Sequence, residues 1–188
     1  MTTTTTGVDF AALTGAYTID PAHTRIGFVA RHAMVTKVRG AFNDFAGAVR
    51  FDGANPAATA VDVTIEAASI DTRNAQRDEH LRGNDFLDME QFPQITFRST
   101  DFAQTAADAF ALTGDLTIKG VTKSITIPFQ HEGVATDPYG NLRVGFEGSV
   151  VINRRDYGVT WNAALETGGV LVSDKITLEF EVSAIKNG

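Results

Sequence analysis

Eight segments of this chain alternate apolar and polar residues one by one, and no other feature limits its fold so strongly. Such alternation belongs to a strand with one face buried and one face wet. Ile26, Phe28 and Ala30 share a face in a segment that ends at His32. Phe45, Gly47, Val49 and Phe51 form the next set, with Phe42 out of phase, so an irregularity is expected near Asn43-Asp44. Val61, Val63 and Ile65 follow, then Ile95 and Phe97, then Phe110, Leu112, Leu116 and Ile118. The last three sets are Ile125, Ile127 and Phe129; Val144, Phe146, Val150 and Ile152; and Ile176, Leu178, Phe180 and Val182.

One hairpin can be checked for register. Lys119-Gly120 fits a two-residue turn, because glycine accepts the positive φ such turns need. Opposed residue numbers then share one constant sum at every pair, which sets Phe110 against Phe129 and Leu112 against Ile127. Thr113 meets Thr126 and Thr117 meets Thr122 on the other face. A slip of one residue would destroy both matches. Lys123 opposite Leu116 is the one misfit.

The stretch Asp71–Asp88 breaks the alternation: it is charged and has no β-branched residue after Thr72. Asp71, Thr72 or Asn74 suits a helix N-cap and Gly83 a helix end, so a short helix is expected over 74–82. It lies across the sheet or over one opening. A helical turn near Val8–Leu13 is also expected, within a flexible tail over residues 1–16. With no linker or internal repeat, residues 17–188 read as one domain. Antiparallel strands that each carry an apolar face must close into a barrel or stack as a sandwich.

Composition then removes whole classes of function. The formal net charge is −7, with 16 Lys+Arg against 23 Asp+Glu and no basic run, so nucleic acid is set aside as a partner. Cysteine is absent, which removes disulfides, thiol nucleophiles and cysteine-held metals, and fits a reducing compartment. The N-terminus has no Lys or Arg before Arg25 and no apolar core of a leader. No run approaches the length of a membrane-spanning helix. A soluble, cytoplasmic protein is the expectation.

No motif for catalysis stands out. His23, His32, His80 and His131 form no paired spacing for a metal, so histidines hydrogen-bonded at strand ends are expected, with no metal and no cofactor. None of the serines sits in Gly-x-Ser-x-Gly. Asp85 and Asp88 would share a face on a helix, where a solvated acidic surface is the simpler reading. Glu166–Val170 lacks the lysine of a phosphate loop and reads as a turn.

The 13 phenylalanines say more. Most lie on the apolar strand faces, with small Ala30, Gly47, Gly114 and Gly148 in the same register. Large beside small describes both a cavity wall and a tightly filled barrel, and the pattern leaves both open. Arg31, Arg39, Arg77, Arg154 and Arg155 fall near strand ends or on the helix. An arginine there could hold an anionic headgroup or stay on the surface.

Taken together, these blocks resemble the YceI family of lipocalin-like, polyisoprenoid-binding proteins. The likeness runs from Tyr17 to Ala184. It rests on Tyr17–Thr24, Ile26–His32, Val38–Phe42, Ser69–Thr72, Arg77–Leu81, Asp85-Phe86, Phe92–Thr100, Gly114–Lys123 and Asn153–Gly158, in order. The resemblance implies an all-β fold: an eight-stranded antiparallel barrel with a short helix between strands 3 and 4 and an elongated apolar pocket. It implies noncatalytic binding, storage or transport of a long isoprenoid or similar amphiphilic lipid, such as an isoprenoid quinone or its precursor. Dimers are common in the family, so a homodimer is among the expected states. Many relatives resemble periplasmic proteins with a leader, which this sequence does not display. Tyr157 stands where the family motif usually has Phe, and its hydroxyl needs a partner if buried.

On that reading Phe28, Phe45, Phe97, Phe110, Leu112, Ile127, Phe129, Phe146, Leu178 and Phe180 line the pocket. His32, Arg77 and Arg154 are the candidates for its mouth or for a headgroup. Two other readings stay open. One is an enzyme acting on a small apolar or lipid substrate in the same barrel. The other is a stress-related interaction module with a filled core.

Overall fold

A computed structural model describes residues 7–188, so the threonines at 2–6 lie outside it. The strands, in chain order, are β1 (Gly15–Ile19), β2 (Arg25–His32), β3 (Thr36–Phe42), β4 (Phe45–Phe51), β5 (Ala60–Glu66) and β6 (Ile70–Asp71). After helix α1 (Ala75–Arg82) come β7 (Gln94–Ala106), β8 (Ala109–Ile118), β9 (Val121–Thr136), β10 (Leu142–Asn153) and β11 (Lys175–Lys186). All pairings are antiparallel.

Eight strands close a ring in the order β1-β4-β5-β7-β8-β9-β10-β11, with β11 hydrogen-bonded back to β1. The remaining three are continuations. β11 pairs with β1 through Ala184–Lys186 and with β2 through Thr177–Glu181, so β1 and β2 are one wall interrupted at 20–24. β3 and β4 form the next wall, broken at Asn43-Asp44 where the phase of the apolar residues changes. β5 and β6 form the third, broken by a 3-10 turn at Ala67–Ser69. The barrel is therefore a meander of eight walls, each with its apolar alternates turned inward.

The β8–β9 hairpin adopts the expected register at every pair from Ala109↔Gln130 to Ile118↔Val121. Lys119 (φ 50°) and Gly120 (φ 74°) make the turn. The outward threonines bond across the strands, Thr113 to Thr126 at 2.8 Å and Thr117 to Thr122 at 2.7 Å. Lys123 is exposed beside the turn, so its place opposite Leu116 buries no charge.

The helix forms where expected. Asn74 caps it by accepting from the Arg77 amide at 2.9 Å, and Gly83 ends it. Asp85 and Asp88 fall beyond its end rather than on one of its faces, because the chain turns at Gly83. The helix is polar nearly all round, so packing alone does not hold it. Asp78 is buried and accepts from both the backbone amide and the hydroxyl of Thr72. Arg77 donates to the Thr72 hydroxyl and carbonyl, each at 2.7 Å. Arg82 reaches back to the carbonyls of Ala68 (2.8 Å) and Ile70 (3.1 Å).

Two ends of the barrel result. Among the described residues, β6 has no strand partner beyond β3, and α1 with segment 83–93 supplies the wall between β6 and β7. At the opposite end the 3-10 turn Phe10–Leu13 is packed in as a plug. The helical turn expected near Val8–Leu13 is present at Phe10–Leu13, but Phe10 and Leu13 are core residues and not part of a flexible tail; residues 1–6 lie outside the described part. No helix among the described residues is long and apolar enough to cross a membrane.

Candidate functional site

The inward faces of the walls enclose an elongated cavity of about 290 Å³. At the plugged end its lining is Phe10, Leu13, Phe51 and Phe102, all buried. Phe129, Phe146, Leu178 and Phe180 form the middle, and these are only half-buried because their inner faces look onto open space. At the helix end lie Phe28, Ala30, Leu81, Leu87 and Val172, also half-buried.

The small residues explain why there is space. Phe28 lies over Gly40, its partner across β2–β3, and a Cβ there would meet the ring at 2.4 Å. Phe129 lies over Gly148 in the same way at 2.7 Å, and Phe97 over Gly114 at 2.4 Å. Each glycine lets a ring lie flat against the wall instead of standing into the lumen. Large beside small thus makes a cavity wall here, not a filled core.

The plug is aromatic. Phe10 meets Phe110 edge-on at 5.0 Å and His131 at 5.1 Å, while Phe102 stacks on Phe110 at 4.9 Å. His131 is buried with no hydrogen-bond partner on Nε2 among the described residues. Burial pulls its pKa below the ordinary value, so the plug holds a neutral imidazole.

Eight of the ten apolar residues expected at the pocket face the cavity: Phe28, Phe97, Leu112, Ile127, Phe129, Phe146, Leu178 and Phe180. Phe45 and Phe110 do not. Phe110 is 1% exposed because Phe10, Phe102 and Phe146 enclose it behind the plug. Phe45 begins β4 opposite Ile65 and packs in the core beside the lumen.

The polar candidates divide differently. His32 continues the inward phase of Phe28 and Ala30 but lies past the barrel wall, exposed at the rim and bridged to Val172. Arg77 is spent on Thr72 and does not reach the cavity. Arg154 borders the cavity and is buried, yet its guanidinium is already occupied. It donates to the carbonyls of Ser173, Val159 and Trp161, each at 2.9 Å, and of Val172 at 3.4 Å. Arg154 therefore clamps the 158–174 segment over the helix end. That segment has no periodic pattern, so its carbonyls could not be anticipated from sequence.

The lining holds five polar side chains, and four are engaged by the chain itself. Tyr17 donates to Leu13 O at 2.6 Å, Thr24 bonds Ser183, Thr59 accepts from Asp52, and Arg154 is the clamp just described. Tyr157 is the exception. It is 2% exposed, and its hydroxyl has no partner among the described residues. Burial raises its pKa, with Asp156 adding to the effect. Leu81, Phe86, Leu87 and Val172 also line the cavity without having been anticipated. The apolar Phe86-Leu87 pair inside a charged stretch was their one sequence signal.

No three His, Asp or Glu side chains converge as a metal site among the described residues. His23 bonds Asp20 at 2.7 Å and His80 bonds Asp85 at 2.9 Å.

Comparison with known proteins gives a consistent result. The model of the YceI-like domain family matches residues 17–184. A UPF0312 protein of Yersinia pestis (strain Pestoides F) is 41% identical over 152 residues, which cover 80% of this chain and 79% of that protein. One of Pseudomonas aeruginosa (strain LESB58) is 42% identical over 150 residues, 79% of this chain and 78% of its own. Among solved structures, the YCEI protein of Campylobacter jejuni superposes with a TM-score of 0.72 at 32% identity, covering 84% of this chain and 90% of that one. BcnA of Burkholderia cenocepacia gives 0.77 at 27%, covering 88% and 98%. A polyisoprenoid binding domain from Saccharophagus degradans gives 0.70 at 13%, covering 91% and 98%, a likeness of fold.

Proposed function

Because the chain belongs to the YceI-like domain family, we propose that it binds a long isoprenoid or similar amphiphilic chain in the barrel cavity, as a carrier and not as a catalyst. The observation that carries this reading is the apolar lumen of about 290 Å³ whose polar side chains, Tyr157 apart, are all engaged by the protein itself. Such a lining offers a ligand dispersion and shelter from water but few polar bonds. A hydrocarbon chain is the ligand class that profits, at about 0.8 kcal/mol for each buried CH₂ and about 4 kcal/mol for each isoprene unit. The volume lies near the lower end of ligand cavities, roughly 300–1,000 Å³, so the lumen takes part of a long chain and leaves the rest towards the helix end. Within this reading the ligand is an isoprenoid quinone or precursor, and the barrel shields it in transit.

The test is mass spectrometry of an organic extract from natively purified protein, with an unrelated protein from the same host as control. A stoichiometric isoprenoid is the expected result. An empty extract, with no displacement of a fluorescent fatty acid by added isoprenoids, would overturn the reading.

A further inference from the structure

The hairpin that joins β2 to β3 projects past the barrel wall at the helix end. Ala33 (φ 51°) and Met34 (φ 61°) make its turn, which thrusts Met34 and Val35 outward. Met34 is 56% exposed and Val35 76%, and Val170 of the neighbouring segment is also exposed. Two adjacent apolar side chains at the tip of a hairpin gain nothing from water.

Their flanks are basic. Residues 31–39 read Arg-His-Ala-Met-Val-Thr-Lys-Val-Arg and contain no acid, although the chain as a whole carries −7. Arg31, His32, Lys37 and Arg39 are exposed, and none is ion-paired among the described residues. The acids nearest in the fold are partly committed. Asp174 sits 3.7 Å from Arg154 and 3.9 Å from Arg155, and Asp71 accepts from Asn43 and the Arg73 amide. Glu166 in the 158–174 segment and Glu79 on α1 are exposed carboxylates at the same end, and both lie outside residues 31–39.

We propose that this tip docks the protein on an anionic lipid surface. Met34 and Val35 enter the boundary between headgroups and chains, and Arg31, Lys37 and Arg39 lie against the negative charge. The apolar tip within a basic collar matches an interface that is apolar below and anionic above. An acidic protein surface would satisfy the collar but leave the tip in water. The position adds to the case. His32 bridges Val172, a cavity-lining residue, so docking turns the half-buried end of the lumen towards the bilayer. This inference stands whether or not the ligand is an isoprenoid, because vesicle binding and lipid extraction are separate measurements.

Co-sedimentation with vesicles of phosphatidylcholine plus phosphatidylglycerol, against phosphatidylcholine alone, tests it. The full-length protein is expected to prefer the anionic vesicles and to be released by salt. Lys37→Gln and Arg39→Gln should each weaken binding about fivefold. Met34→Asp with Val35→Asp should abolish it, with the melting temperature and extracted lipid unchanged, since the side chains are exposed. Equal binding to neutral vesicles, no binding at all, or binding indifferent to these substitutions would overturn the proposal. So would a dimer that Val35→Asp converts to monomer, which would assign the tip to a second copy of this chain.

Discussion

Tyr157 and His131 each bury a polar atom that no described residue satisfies, and they do so at opposite ends of the lumen. An unsatisfied buried hydroxyl costs about 1–3 kcal/mol. Tyr157→Phe keeps the ring and removes the orphan, so it should raise stability by about 1–2 kcal/mol in urea titration. A loss of stability would mean that the hydroxyl has a bonding role. His131 makes a prediction about pH. Its folded pKa lies below the ordinary 6.5, so unfolding takes up a proton once pH falls beneath that value. The stability from a neutral buried imidazole is complete above pH 6.5 and declines below it. Melting temperature should therefore fall from pH 6.5 to about 5, and His131→Phe should flatten that slope. The residue scale also marks where reading the sequence stopped. Tyr157 could be singled out because a hydroxyl in an aromatic position raises a question by itself. The saturation of Arg154 could not, because its partners are backbone carbonyls of a segment with no pattern.

At the scale of elements, alternation and turn chemistry carried most of the information. The β8–β9 register was legible to the residue because two independent rules, apolar matching and a Lys-Gly turn, demanded one pairing. Among the walls made of two strands, the break at 43–44 was legible because Phe42 falls out of phase, whereas those at 20–24 and 67–69 were not, because each resets the phase over a few residues. The flattened rings give this level its sharpest test. A methyl group at Gly148 would stand 2.7 Å from both the Phe129 ring and the Pro128 carbonyl. Gly148→Ala should destabilise the barrel by about 1–3 kcal/mol and push Phe129 into the lumen. Retained lipid per protein should fall with it. The helix gives a second test. Asp78→Ala leaves the buried Thr72 amide without an acceptor, so it should cost about 1–3 kcal/mol by chemical denaturation. Asp78→Asn should recover part of that loss.

For the molecule as a whole, closure of the ring is the decisive contact, and a charged cluster guards its seam. Arg143 donates to Asp20 at 2.7 Å, to Asp137 at 2.8 Å and to Ser183 at 3.3 Å, joining the β1–β2 link, the β9–β10 turn and β11. Hydrogen bonds from Arg143, then His23, hold the Asp20 carboxyl at about 2. For Asp137, partial burial is outweighed by bonds from Asn141 and Arg143, and its pKa is lowered too. Both folded values lie below the ordinary 3.8, so this contribution is present above pH 3.8 and is lost as pH falls towards 2. Arg143→Ala should move the acid-unfolding midpoint upward, read by circular dichroism.

The seam also sets an order in time. β11 is wedged between β10 on one side and β1 with β2 on the other, so the wall nearest the start of the chain waits for the one nearest its end. A ribosome adds about 5–20 residues each second, and Lys186 must emerge before β11 can pair with β1. Until then the nascent sheet has open edges and a wet inner face, as an aggregation-prone intermediate does. The lumen therefore takes shape only once β11 has paired with β1, which makes the seam the last wall contact of the barrel to form.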